Sequence, residues 1–562
     1  MSNFEEQLKL IKKESTLEGP HTNVLLPKYT AREKMISLMG TVRAAHNENS
    51  SLELQRQYVQ CLLFMGANRL ETEEEKEGFD SLFTAYTLIS KTVSKELVKL
   101  DELAPTPAKD ITSLNKPIGS GSPFIVEVLQ VLNTIGLHMS SSESPQRMND
   151  AKKVLHLAEM CYKMWDKEFK GPTIDALTIG DDGCIQGDTS SAAEIRLAMD
   201  SLYTSTLFFL AQVYTHIDTT EASKYAHLTM IGQLQTKSEF SRRAWAENAL
   251  HLNGFFSSNG DYGRALHCLE AGAHIMPKDL DAEESIGQLM WGYGRFHLSR
   301  LRQSAFNPTS GSEPDRFGSW FVPFPLPLPP VRTLPQIRTL AEAREEFKRA
   351  LHYLSEAKKY YPFDGQCGDY IMLCQDVSGL YHALTAFETD RERKVAIHYR
   401  RVAQLDTIPD QLNPNAYLTT IRQVIYDVGE IHTDIMDVRT AQKKDKDASA
   451  LSDRQFNLLN DKTAFWYQKF LDTFQGTKHP EEVRVAIFRA TMRLAALKTK
   501  KYFSSPQEEY EAIGAAVGVY GEVLKFAEAN PVPELSEELE IAKQMHTLLP
   551  GKQKTIMQAF AK

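Results

Sequence analysis

Gly260-Asp261-Tyr262-Gly263-Arg264-Ala265-Leu266-His267-Cys268-Leu269-Glu270-Ala271-Gly272-Ala273-His274-Ile275-Met276-Pro277 reads as a single helix with a defined end. Ala265, Leu269 and Gly272 recur at helical spacing, and Pro277 stops the pattern. A residue as small as Ala265 lets a second helix approach closely. Counting back across Asn259-Gly260 puts Ala249, Leu252, Asn253 and Phe256 on a preceding helix with the same periodicity. The Asn-Gly-Asp in between is a hairpin signal in strand proteins, but helical patterns flank it on both sides. The unit is a helical hairpin.

Its spacing resembles a tetratricopeptide repeat, with Asn253 departing from the small residue usual at its position. The preceding segment fits the same way. Leu207, Leu210, Ala211 and Tyr214 form a first helix, and Ala222 and Ala226 lie on a second, one residue early. Weaker copies follow the pattern: residues 62–70 as a first helix, and 151–158, 341–361 and 510–529 as second helices. One hairpin cannot bury its apolar face alone, so neighbours must stack. The expected fold is all-α: a tetratricopeptide-like right-handed α-solenoid in two lobes, with a concave groove.

Three stretches break the rhythm. Residues 104–122 and 171–190 are Pro-, Gly- and Asp-rich and read as loops. Residues 304–335 start polar and become Pro323-Phe324-Pro325-Leu326-Pro327-Leu328-Pro329-Pro330, whose alternating prolines forbid helix and favour polyproline II. This divides the chain into an N-terminal helical lobe, 1–303, a flexible Pro-rich loop, 304–335, and a C-terminal helical lobe, 336–562. A shorter charged break falls at 443–452.

The formal charge is −9 over 562 residues. Residues 1–300 hold 39 Asp and Glu against 30 Lys and Arg, a difference of −9; residues 301–562 hold 34 of each. There is no basic stripe of the kind a nucleic-acid binder carries. The excess reads either as solvated helix faces or as an acidic surface for a basic partner. Six scattered cysteines without a CxxC read as reduced thiols. No apolar run approaches the ~20 residues of a membrane span. A cytoplasmic, monomeric protein is expected.

Catalytic and cofactor chemistry leaves no signature. Gly119-Ser120-Gly121 lacks the rest of a phosphate-binding loop, and neither HExxH nor a Cys/His cluster at zinc spacing occurs. Neither an enzyme nor a cofactor, metal or catalytic residue is expected. Pro327, Pro330 and Arg332 match P-x-x-P-x-R, which SH3 domains dock as a polyproline helix; the competing reading is a stiff linker anchored by Trp320, Phe321 and Phe324.

A more specific series lies further on: Gln375-Asp376, Leu384-Thr385-Ala386-Phe387-Glu388-Thr389-Asp390-Arg391-Glu392-Arg393, His398-Tyr399-Arg400-Arg401, Leu412-Asn413-Pro414 and Arg422-Gln423. It resembles the C-terminal lobe of the KIF-binding protein family, which has tetratricopeptide repeats. Gly66-Ala67-Asn68-Arg69-Leu70-Glu71-Thr72-Glu73-Glu74, residues 207–214 and 225–234, Trp245-Ala246-Glu247-Asn248-Ala249, Glu538-Leu539-Glu540-Ile541 and Leu548-Leu549-Pro550 agree with it. The run 323–330 has no counterpart in that pattern.

The resemblance implies binding of the motor domain of a subset of kinesins in the concave groove. It also implies that the bound motor is blocked from microtubules, so that microtubule-based transport is regulated beside the cytoskeleton. Occlusion and charge complementarity, an acidic lobe against a basic motor face, would do the work. Groove positions of the two best repeats are Phe208, Gln212, Thr215 and His216, then Glu247, Leu250, Ser257 and Ser258. Trp245 is expected at the mouth of the intervening loop as an aromatic anchor. The alternative is a general tetratricopeptide scaffold or co-chaperone binding peptide segments. That mode needs a Lys/Arg clamp, which these positions lack.

Overall fold

The computed structural model describes all residues except 1, 20–22, 94–97, 101–102, 104–113, 115–116, 119–121, 143, 180–183, 187–189, 238–239, 277–282, 308–316, 476–480, 532 and 561–562. The chain falls into two compact units, residues 1–252 with 315–330, and residues 253–314 with 331–562. Among the described residues there is no strand, only an isolated bridge between Ile179 and Ile185.

The first unit contains α1 (Ser2–Ser15), α2 (Leu26–Glu48), α3 (Leu52–Glu71), α4 (Glu75–Val93), α5 (Ile125–Ser140), α6 (Pro145–Glu168), α7 (Ser191–Thr215), α8 (Thr219–Thr236) and most of α9 (Arg242–Ser258). Side chains that satisfy free N–H groups mark several helix starts: Ser51 for α3, Ser190 for α7 and Asp218 for α8. Consecutive helices pair as α3/α4, α5/α6 and α7/α8. The first members stack side by side, α3 on α5 and α5 on α7, as the repeat pattern requires. Glycines set the tightest of these approaches. A Cβ on Gly66 of α3 would stand 2.6 Å from Leu82, and one on Gly78 of α4 would stand 2.7 Å from Leu70.

The second unit contains α10 (Tyr262–Ile275), α11 (Glu283–Phe306), α12 (Leu340–Ala357), α13 (Cys367–Thr385), α14 (Arg391–Leu405), α15 (Ile408–Gln411), α16 (Pro414–Lys444), α17 (Asp453–Asp472), α18 (Glu481–Thr499), α19 (Pro506–Ala529) and α20 (Ser536–Phe560). Thr339 with Glu342, and Ser452 with Gln455, form capping boxes at α12 and α17. Three cores follow one another along this unit, centred on Leu354, Tyr467 and Tyr520.

The hairpin read first is present. Ala265, Leu269 and Gly272 are buried on α10, and Gly260 takes a φ of +78° in the turn before it. Asn253 is also buried, and its amide donates to the Ala265 carbonyl at 3.0 Å. A position that usually carries a small side chain here carries a satisfied polar one. The segments at 151–158, 341–361 and 510–529 fall on α6, on α12 and the turn after it, and on α19; α6 and α12 are the second members of their pairs, whereas α19 packs equally on α18 and α20.

The division between the units differs from the one drawn at 303/304. It falls within α9, because α10 packs on α11 and α11 on α12 and α13. The described part of the proline-rich segment, residues 317–330, belongs with the first unit.

Candidate partner-binding faces

Helix α7 buries Leu207, Leu210, Val213 and Tyr214 on one side. Ser201, Ser205, Phe208, Gln212 and Thr215 follow at spacings of four, three, four and three, so they form one stripe on the opposite side. Phe208 is 43% exposed, and Gln212, Thr215 and His216 are exposed. Of the nine groove residues read from the sequence, these four lie together. Asn133 of α5 donates to the Leu202 carbonyl and accepts from the Thr206 hydroxyl, which fixes α5 against α7. Glu127 of α5 accepts from Arg56 and Gln60 of α3, fixing the other flank.

Between those flanks α5 presents Val126, Gln130, Thr134 and the exposed Leu137. On α3 the same side carries Gln60 and Phe64. Phe64, Gln60, Val126, Gln130, Thr134, Leu137, Ser201, Ser205, Phe208 and Gln212 thus line one wall across three helices. Every one is uncharged. The sequence pattern marks 62–70 of α3 as a first helix without assigning groove positions on it, and gives no repeat reading for α5.

The acidic residues of the first unit concentrate elsewhere. Glu71, Glu74 and Glu75 sit at the α3–α4 turn and pair with Lys28, Arg32 and Arg147. Arg32 also donates to Asn68, at 2.8 Å, and to Thr72.

The other five groove residues vary. On α9, Glu247 and Leu250 are half-buried, and Glu247 accepts from Arg243 at 3.0 Å. Ser258 is exposed; Ser257 is buried. Trp245 lies in the first turn of α9, next to the loop after α8, with its side chain turned inward. It is 1% exposed, its indole N–H donates to the Met230 carbonyl, and its ring meets Phe324 edge-on at 5.1 Å. A buried tryptophan needs both a partner for its N–H and an apolar body around it, and a segment about eighty residues later supplies part of that body.

That segment is the proline run. Phe317 and Phe324 are buried, and His227 of α8 meets the Val322 carbonyl through Nε2 at 2.8 Å. The run is not polyproline II. The N–H of Leu326 donates to the Phe324 carbonyl and that of Leu328 to the Leu326 carbonyl, both at 2.7 Å. These are i-to-i+2 bonds, γ-turns centred on Pro325 and Pro327. Pro327, Pro330 and Arg332 are exposed, and Arg332 lies 4.0 Å from Glu270. An SH3-type partner would have to open the turns first.

The second unit is joined differently. Asp376 of α13 accepts from Trp291, at 2.8 Å, and Arg295, at 2.7 Å, both on α11. Gln375 reaches Asp427 of α16, Arg493 of α18 faces Glu430, and Arg489 pairs with Glu538 of α20. A ladder of polar links therefore ties α11, α13, α16, α18 and α20. Burial pushes the Asp427 carboxyl up to about 6.

The signature series is part of this framework. Glu388 is buried, accepts from Arg344 and from the N–H groups of Thr389 and Asp390, and so shapes the turn before α14. Asp390 and Asn413 cap α14 and α16. Arg401 pairs with Asp434 at 2.7 Å, and Arg422 donates to the Thr473 carbonyl. Among the described residues no group of three or more His, Cys, Asp or Glu could hold a metal ion. No helix among them is long and apolar enough to cross a membrane.

Residues 332–556 match the family described as KIF-1 binding protein C terminal. The chain is similar to the KIF-binding proteins. The KIF-binding protein of Mus musculus is 27% identical over 544 residues, covering 87% of this chain and 83% of the relative. That of Danio rerio is 27% identical over 565 residues, covering 88% and 83%. A Drosophila melanogaster KIF-binding protein is 24% identical over 483 residues, covering 78% and 74%. The fold is similar to a solved structure titled "Kinesin binding protein (KBP)", with a TM-score of 0.65, 23% identity and 98% of both chains covered. The family resemblance read from the signature series is therefore borne out, and so is the all-α solenoid class.

Proposed function

We propose that this chain binds the motor domain of a subset of kinesins through the concave side of its stacked first helices. By occupying the motor it prevents microtubule attachment and so regulates microtubule-based transport. The observation that carries this reading is the likeness to KIF-binding proteins over most of both chains. The wall on α3, α5 and α7 supports it. An exposed aromatic, Phe208, and an exposed leucine, Leu137, stand among amides and hydroxyls, the mixture of apolar anchor and hydrogen-bonding rim that protein partners use. The mechanism is occlusion and needs no chemistry from the chain. Such work is done in the cytoplasm beside the microtubule cytoskeleton.

The proposed contact residues are Phe208, Gln212, Thr215 and His216, with Leu137 and Gln130 alongside. Glu247, Leu250 and Ser258 of α9 remain candidates. The co-chaperone alternative gains nothing, since the wall carries no Lys or Arg for a carboxylate clamp. A pull-down with a panel of kinesin motor domains at two salt concentrations tests the reading. Retention of some motors and not others is expected; retention of none would overturn it.

A further inference from the structure

The strap of residues 317–330 lies on the first unit and is built unlike the rest of it. Phe317, Trp320, Phe321 and Phe324 give it four aromatic side chains within eight residues. His227 of α8 is fully buried beneath them. Its ring stacks on Phe321 with centroids 4.6 Å apart, meets Phe324 at 4.7 Å, and stands edge-on to Trp320 at 5.8 Å. Trp245 of α9 closes the other side of Phe324. The Val322 carbonyl is read by His227 Nε2. The outward residues are Val322, Pro323, Pro325, Pro327, Pro329 and Pro330, all exposed.

Several backbone bonds lie within the strap: Phe321 donates to Phe317, and the two γ-turns close 324–328. Aromatic side chains in a cleft and a side chain reading one carbonyl hold it on the first unit, as peptide ligands are held. Proline-fixed φ angles lower the entropy lost on docking.

We propose that the cleft of His227 and Trp245 is a recognition site for aromatic–proline segments, and that the strap is a ligand occupying it in cis. A partner segment carrying two aromatics three residues apart, the second flanked by prolines as in Phe321-Val322-Pro323-Phe324-Pro325, takes the same place when the strap is displaced. The cis copy keeps the site closed to weak competitors.

The test uses the full chain and a fluorescent peptide of residues 317–330. Phe321→Ala with Phe324→Ala empties the cleft, and this variant is expected to bind the peptide at micromolar concentration. The unaltered chain is expected to bind at least about tenfold more weakly, because its own copy competes at millimolar effective concentration. Adding His227→Ala to the emptied variant should cost at least about tenfold in affinity. A peptide with both phenylalanines replaced by alanine should not bind. If the emptied variant has lost its cooperative melt, the peptide must restore it. Failure of both binding and restoration overturns the proposal, as does binding indifferent to His227. A doubled mass of the unaltered chain by light scattering, lost on Phe324→Ala, would assign the cleft to the strap of a second copy and overturn the partner reading.

Discussion

The first helices of the two units solve the same packing problem with different chemistry. In the first unit α5 is held to α7 by the neutral set of Asn133, Thr206 and the Leu202 carbonyl, and a single buried carboxylate, Glu127, ties it to Arg56 and Gln60 of α3. In the second unit α11, α13, α16 and α18 are tied by Arg295, Asp376, Asp427, Glu430 and Arg493. A partly buried ion pair commits both groups to each other and leaves little for a partner, whereas an amide wall with an exposed phenylalanine commits nothing. The comparison assigns framework to the second unit's charges and contact to the first unit's neutral wall.

The largest expected effect lies in the framework. Glu346 of α12 is 4% exposed and is held by His297 at 2.8 Å and Arg300 at 2.7 Å on α11. Glu346→Ala removes the carboxylate from the buried Arg300 guanidinium and should lower unfolding stability by about 3–5 kcal/mol. The wall residue Gln212, changed to Ala, should alter it by no more than ~0.5 kcal/mol. Urea unfolding of both variants checks the contrast, and similar losses would erase it.

At the contact, Phe208→Ala should weaken motor-domain binding by roughly tenfold or more while the melting temperature holds, as for an aromatic anchor. Calorimetric titration beside a thermal melt reads both. A fall in melting temperature matching the lost affinity would make Phe208 a packing residue instead.

Salt sharpens the comparison next. If the wall reads its partner without charge, the affinity ratio between the unaltered chain and Phe208→Ala should stay within about twofold between low and high salt. A ratio that collapses at high salt would return the acidic-steering expectation to this surface.

A pH-dependent effect separates the units in acid. Burial pushes His398 and His432 of the second unit down to about 4. The unfolded chain takes up these protons near pH 6.5 and the folded chain only near 4, so stability falls as pH drops between those values. Each group contributes about 1.4 kcal/mol per pH unit at most. Asp427, raised to about 6, works the other way, since its folded form takes a proton first and offsets part of the loss. In the first unit burial pushes Glu159 up, but hydrogen bonds from His156 and Lys163 outweigh it and hold the carboxyl at about 2. Its contribution is present above pH 4.5 and is lost only as pH falls from there toward 2. His432→Leu should flatten the slope of melting temperature between pH 6.5 and 4.5; an unchanged slope would remove His432 from the account.

Much of this was legible in the sequence because helices are local. Ala265, Leu269 and Gly272 give a period and a close approach without reference to anything distant, and the α7 stripe follows from Leu207, Leu210 and Tyr214 by rotation alone. The burial of Trp245 is not legible because its surroundings are not local: Phe324 covers it, and no periodicity connects them. The prolines of 323–330 fix φ but not ψ, so polyproline II and a chain of γ-turns look alike in sequence. The charge tally could not be assigned to a face, because Glu71, Glu74 and Glu75 meet Lys28, Arg32 and Arg147 only once α2, α3, α4 and α6 are assembled. The signature series identified the relatives while naming scaffold: Glu388, Asp390, Arg401 and Asn413 serve turns, caps and ion pairs.

Microtubule co-sedimentation tests the central claim most directly. With a motor domain that this chain retains in pull-down, a stoichiometric amount of the chain should hold the motor in the supernatant while microtubules pellet, and Phe208→Ala should let it return to the pellet. A motor that pellets undiminished with the chain bound to it would contradict occlusion.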